Sequence, residues 1–181
     1  METVGFLELN SIARGIEAAD AMLKAAEVRL AFARPSCPGK YLVLVIGEVA
    51  AVQSSVAAGE AAGGVNVLDH VVIPRLHPQV IAAIRMANVP EHRNAVGVLE
   101  YFSVTASLLG ADAAVKAADV QLLEVRLGSG IGGKSFVTLT GDVAAVTEAV
   151  ACAAALAGES GLLLGRTVIP NPHSELFESL Y

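Results

Sequence analysis

The feature that most constrains the fold is an internal duplication. Residues 4–34 laid over residues 96–126 agree at 14 of 31 positions without a gap, pairing Gly5 with Gly97, Glu8 with Glu100, Asp20 with Asp112 and Lys24 with Lys116. After a two-residue insertion in the second copy, residues 39–64 agree with residues 133–158 at 12 of 26 positions. Further on, "VVIPRLHPQV" meets "TVIPNPHSEL", which sets His77 opposite His173. A chain built from two such copies must fold each into the same unit. The expected domains are residues 1–88 and 89–181, and the polar stretch "ANVPEHRNA", residues 87–95, reads as the linker.

Each copy carries one order of elements. "TVGFLEL" and "AVGVLEY" read as strands, and Ser11 and Ser103 are N-caps for the Ala-rich helices that follow to about Ala26 and Ala118. "VRLAFAR" with "YLVLVIG", and "VQLLEVR" with "SFVTLTG", read as strand pairs joined by hairpin-like turns. "EVAAVQSSVAAGEAAG" and "DVAAVTEAVACAAALAG" are helices with Glu48 or Asp142 at the positive end and Gly63 or Gly158 near the stop. A last strand ends at Ile73-Pro74 or Ile169-Pro170. The order β-α-β-β-α-β places the chain in the α+β class as two tandem ferredoxin-like, split-βαβ domains.

Against that order stands "LGSGIGGKSFVTLTG", where Gly128 and Gly133-Lys134-Ser135 satisfy a P-loop spacing and Gly128, Gly130 and Gly133 a dinucleotide fingerprint. A phosphate loop needs a helix directly after Gly-Lys-Ser, because the free N–H groups at its N-terminus hold the anion. Here the β-branched and aromatic "SFVTLTG" follows, which predicts a strand. The first copy keeps Gly39-Lys40 but none of the other glycines. The glycines are read instead as the means of close backbone approach around a crowded loop.

Composition narrows the function. Fifty-four per cent of residues are apolar and 17 per cent charged, with mean hydropathy +0.60, more than one domain interior requires, so part of the apolar surface is expected between subunits. No run of about 18 uncharged apolar residues exists, which argues against a membrane span. A net charge of −6 without a basic cluster, no Trp and only eight Phe and Tyr argue against nucleic acid. The N-terminus shows no secretory or transit pattern, so a cytoplasmic protein is expected, with Cys37 and Cys152 as free thiols or ligands rather than a disulfide.

The segments "VGFLELNSIARGIEAADAMLKAAEV", "CPGKYLVLVIGEVAAVQSSV", "GSGIGGKSFVTLTGDVAAV" and "VVIPRLHPQV" together resemble the tandem-domain shell proteins of bacterial microcompartments (BMC-T). The resemblance covers essentially the whole chain and is nearest to the PduT-like group, which shares a Cys-Pro-Gly-Lys in its first domain and a Gly-rich loop in its second. It implies a flat, pseudo-hexameric homotrimer that tiles with hexameric and other shell proteins in a microcompartment shell. In that family the loop between the second and third strands lines a central pore. Gly128, Ser129, Gly130, Ile131 and Gly132 fall in that loop of the second domain, and Ser36, Cys37, Pro38 and Gly39 in that of the first.

In the PduT-like group the cysteine of the Cys-Pro-Gly-Lys loop is implicated in holding a [4Fe–4S] cluster, and Cys37 is the matching position. One cysteine per chain cannot hold such a cluster in a monomer, since four thiolates normally do so, but a threefold axis supplies three. The fourth iron would then take a ligand that is not from the protein. The implied roles are electron transfer across the shell or cluster delivery to encapsulated redox enzymes. Two alternatives remain open at this stage: a tile whose opening is a metabolite pore without a cluster, and a tandem ferredoxin-like regulatory module that binds a small ligand.

The remaining candidates serve structure. Lys24 and Lys116 match the family's tile-edge lysine, each with an aspartate four residues earlier able to hold it. Arg75 matches the tile-edge arginine, whereas Asn171 stands in its place in the second copy. His77 and His173 lack a second ligand at short spacing and are read as fold or edge residues rather than metal ligands. Cys152, in "AVACAAALA", is expected in the core. Glu8 and Glu100 recur in strands, where they can pair with a lysine, and no spacing supports an enzyme.

Overall fold

A computed structural model describes residues 2–90, 94–158 and 161–181. It divides into two compact units, Met1–Leu76 and His77–Tyr181. The first unit runs β1 (Glu2–Leu9), α1 (Ile12–Ala25), β2 (Arg29–Ser36), β3 (Lys40–Gly47), α2 (Val49–Gly63) and β4 (Val67–Leu76), with a short 3-10 turn at Gly64–Asn66. The second begins with a helix, α3 (Pro78–Ile84), and then repeats the order as β5 (Ala95–Tyr101), α4 (Val104–Ala117), β6 (Val120–Leu127), β7 (Ser135–Gly141), α5 (Val143–Gly158) and β8 (Leu163–Ile169), ending in α6 (Ser174–Glu178). The sheets are antiparallel with strand orders β2-β3-β1-β4 and β6-β7-β5-β8. The α+β class and the tandem split-βαβ order are therefore as expected.

The boundary lies earlier than residue 88, because α3 packs on β6 and α4 rather than on the first sheet. The reason is polar. Gln79 Oε1 accepts from the Leu122 N–H at 2.9 Å while Gln79 Nε2 donates to the Val120 carbonyl at 3.4 Å. Asn88 Nδ2 donates to the Leu122 carbonyl at 2.9 Å, and the His77 N–H donates to Asp112 at 2.8 Å. These bonds tie residues 77–88 to β6, the outer strand of the second sheet, and to α4. Of the expected linker, residues 91–93 lie outside the described residues.

Local chemistry explains the repeated elements. Ser11 and Ser103 cap α1 and α4 by accepting from the Arg14 and Ala106 N–H groups, as their positions predicted. The two short helices were not anticipated, and His77 and His173 explain them. Each imidazole Nδ1 accepts from the N–H two residues on, at 3.4 Å from Gln79 and 3.3 Å from Glu175, and so starts a helix. In the first unit, Leu7, Leu9, Met22, Tyr41, Val43, Val45, Val52 and Val56 form the core between sheet and helices.

The second unit differs at one buried point. Tyr101 is fully buried, and its hydroxyl has no hydrogen-bond partner among the described residues. It occupies the space left by Gly110, where an added Cβ would lie 2.1 Å from the hydroxyl oxygen. Burial pushes the phenol well above its ordinary value of 10.0, so the folded state keeps the proton after the unfolded chain has begun to release it. Stability from this group is present below pH 10.0 and falls as pH rises beyond it. Tyr101→Phe is expected to be at least as stable as the parent at pH 8, by up to about 1 kcal/mol, since it removes an unmet hydroxyl. Its advantage should widen above pH 10 in denaturant titrations. A variant that loses more than about 1 kcal/mol at pH 8 would show that the hydroxyl has a partner.

Candidate functional site

The two β-hairpins that connect the second and third strands of each unit hold most of the candidate residues, and they differ in length. In the first unit β2 ends at Ser36, which pairs in register with Lys40, so only Cys37, Pro38 and Gly39 form the turn. Ser36, expected in the loop, is thus a buried strand-end residue. Gly39 has φ +76°, a conformation that L side chains rarely adopt, and this lets three residues reverse the chain. Cys37 is exposed at the tip.

The base of that hairpin is fixed by an ion pair. Lys40 Nζ lies 2.6 Å from Glu8 Oε1, with the Glu8 side chain 3% and the Lys40 side chain 18% exposed. Glu8 stands on β1, directly opposite Leu42 on β3. Beside it the Arg34 guanidinium lies over the Phe32 ring at 4.7 Å. The turn that presents the thiol is therefore short and anchored through its C-terminal residue to the middle of the sheet.

In the second unit the corresponding loop spans residues 128–134, between Leu127 and Ser135. Gly128, Gly130, Gly132 and Gly133 all have positive φ, between +66° and +81°. The glycines are needed for this backbone path, and Ser129, Gly130 and Gly132 face solvent. Strand β7 starts at Ser135, so no helix N-terminus meets Gly133-Lys134-Ser135. Lys134 Nζ is held by Glu100 at 2.5 Å, as Lys40 is by Glu8, but with side-chain exposures of 42% and 39%. The P-loop geometry is absent, and the lysine belongs to the hairpin base.

Among the described residues no group of three or more His, Cys, Asp and Glu side chains comes together as a metal site. Among the described residues Cys37 belongs to no such group. A metal or cluster at this thiol would require thiols from several chains. Cys152 lies half-buried on α5, less enclosed than expected.

The remaining candidates lie on α1, α4 and β4. Lys24 pairs with Asp20 at 2.5 Å and Lys116 with Asp112 at 2.5 Å, each four residues apart along its helix. Lys24 is the more exposed, at 74% against 38%. Arg75 is exposed with φ +53°, in the left-handed region that non-glycine residues seldom occupy.

Residues 3–76 and 95–172 each match the model of the BMC domain, which accounts for both sheets and their helices. The chain belongs to the BMC-domain family. It is similar to the bacterial microcompartment shell protein PduT of Citrobacter freundii, at 45% identity over 99% of this chain and 97% of that protein. It is also similar to the carboxysome shell protein CcmK2 of Synechococcus elongatus, at 43% identity over 41% of this chain and 76% of that protein. Among solved structures, a microcompartment protein from Desulfitobacterium hafniense DCB matches with a TM-score of 0.92 and 54% identity, covering 98% of this chain and 99% of that one. The fused permuted hexameric shell protein MSM0275 shares the fold alone, with a TM-score of 0.63 and 24% identity over 84% of this chain and 79% of that one.

The BMC-domain chain is thus a structural microcompartment shell protein, PduT-like in its full length. No helix among the described residues is long and apolar enough to cross a membrane.

Proposed function

We propose that this shell protein forms a homotrimeric tile with a central pore and that Cys37 of three chains holds one [4Fe–4S] cluster there. The observation that carries the reading is the exposed thiol at the tip of a three-residue turn whose base is pinned by the buried Glu8–Lys40 pair. Such a turn presents sulfur in one orientation, which a shared site on an axis requires. Three thiolates are one short of the usual set, so the fourth iron would take a ligand that is not from the protein. The cluster supplies one-electron chemistry, which suits electron transfer across a shell or delivery of the cluster to enzymes inside. Other shell proteins, hexameric ones among them, are its neighbours in this reading, and the similarity to the shell proteins PduT and CcmK2 supports a place in such a layer.

Iron and acid-labile sulfide per three chains, measured with the visible spectrum on protein purified without oxygen, test the proposal. About four of each are expected, with complete loss in Cys37→Ser while the variant still assembles into sheets. Colourless parent protein that assembles but stays iron-free after reconstitution would leave a tile whose Cys37 residues line a metabolite pore. A parent that binds a small molecule stoichiometrically and never forms sheets would leave a regulatory module.

A further inference from the structure

The edge strands β4 and β8 are counterparts, since His70 stands opposite Leu7 as Arg166 stands opposite Leu99. An added Cβ at Gly97 would lie 2.7 Å from Val150 and 3.0 Å from Val146, so the face of β5 that carries Gly97 is the one α5 covers. Val168 is the partner of Gly97 and Arg166 lies two residues before it, which puts both side chains on that face. Between α5 and β8 runs an open groove of about 250 Å³, lined by Thr147, the buried Val150, Ala151, Arg166 and Val168.

The two repeats treat the cation of this groove differently. In the first unit His70 Nε2 lies 3.8 Å from Glu60 Oε2 on α2, and Asp69 precedes the histidine. In the second, Ala154 stands in the place of Glu60 and Gly165 in that of Asp69, while an arginine, charged at every physiological pH, replaces the histidine. Arg166 is exposed and has no ion pair or hydrogen bond among the described residues. The groove thus holds a cation without the two carboxylates of its counterpart. That counterpart stays open with the whole chain present, its His70 and Glu60 side chains 43% and 51% exposed.

The strand beside the groove is also unfinished. Strand β8 pairs with β5 alone, so its outer row of N–H and C=O groups is open to a further strand. A groove this small and open does not enclose a small molecule, whose pockets usually measure about 300–1,000 Å³. An added strand uses it differently, with main-chain bonds to the edge and alternate side chains set against α5. We infer that the outer edge of β8 takes up an extended, acidic segment of a partner protein, with a carboxylate paired to Arg166 and small apolar side chains packed over Ala151 and Val168. The charge selects the second unit, because Glu60 and Asp69 repel the same segment at β4. No residue of the first unit takes part, so the inference holds whether or not Cys37 carries a cluster.

The probe is the fluorescein-labelled peptide Thr-Val-Thr-Glu-Thr-Val-Thr, titrated with the full chain and read by anisotropy alongside hydrogen exchange. Saturable binding is expected, with exchange slowed in residues 163–169 and unchanged in residues 67–76. Arg166→Glu should weaken binding at least tenfold, and a peptide with lysine in place of its glutamate should bind that variant again. Thr147→Glu, which sets a carboxylate in the groove at an exposed helix position, should weaken the acidic peptide at least fivefold. Affinity indifferent to these charges, protection that maps elsewhere, or no binding at millimolar peptide would each overturn the inference. Displacement of the peptide by an equal concentration of butyrate would mark a small-anion site and overturn it as well.

Discussion

Lys40→Ala is expected to destabilise the first unit by about 3–5 kcal/mol, because it leaves the buried Glu8 carboxyl without its partner and out of water. The Glu8 side chain is 3% exposed and has Lys40 at 2.6 Å, so solvent cannot replace the lost cation. The same change in the second unit, Lys134→Ala, should cost under about 1 kcal/mol, since Glu100 and Lys134 are 39% and 42% exposed and water screens the pair. Separate unfolding transitions followed by hydrogen exchange in the two units would read both values. Equal losses would mean that burial does not govern the pair. The double variant Lys40→Met with Glu8→Gln should recover much of the loss, as it removes the stranded charge. Because Lys40 ends the turn that carries Cys37, Lys40→Ala should also loosen the thiol's orientation and reduce any iron it holds, whereas Lys134→Ala should leave iron unchanged.

Met22→Ala should cost about 2–5 kcal/mol, the range for truncating a fully buried side chain of this size. Met22 is the point at which α1 meets α2. A Cβ added at Gly59 would lie 2.5 Å from Met22 Cγ and 2.7 Å from its sulfur, and Ser55 Oγ donates to the Met22 carbonyl at 2.9 Å. Helix α2 thus carries a glycine where the thioether lies. Gly59→Ala alone should overpack the contact by about 1–3 kcal/mol. Combined with Met22→Ala, it should restore part of the loss, because the new methyl enters the space vacated by the side chain. A thermodynamic cycle on the four proteins measures this coupling, and strict additivity would show that the two residues do not share a cavity.

The duplication made the repeated sheet and its helices legible, since Ser11 and Ser103, the strands after them and the Asp20–Lys24 and Asp112–Lys116 pairs recur at fixed offsets. The β-branched run after Lys134 was enough to reject a phosphate loop, and strand β7 stands where it was expected. The short helices α3 and α6 were not legible. Seven and five residues are too few to show a periodic apolar face, and the caps that start them are histidines rather than the usual Ser, Thr, Asp or Asn. The boundary after Leu76 was also hidden, because it depends on the Gln79 amide finding the backbone of β6, a contact 43 residues away. Pairing alone could be anticipated for Glu8 and Glu100. Their different exposure, on which the two lysine predictions turn, comes from packing that no local pattern records.

The unequal hairpins have a consequence for how the two halves can evolve. When a ring is assembled from identical single domains, a residue placed at its rim is placed at every rim position, and a change that helps one site is imposed on all. Joining two domains in one chain ends that obligation. The first hairpin is a three-residue turn with a cysteine, while the second is a longer loop with three further glycines of positive φ. A reactive side chain can then be presented by one domain of the two, while the other changes length and composition independently.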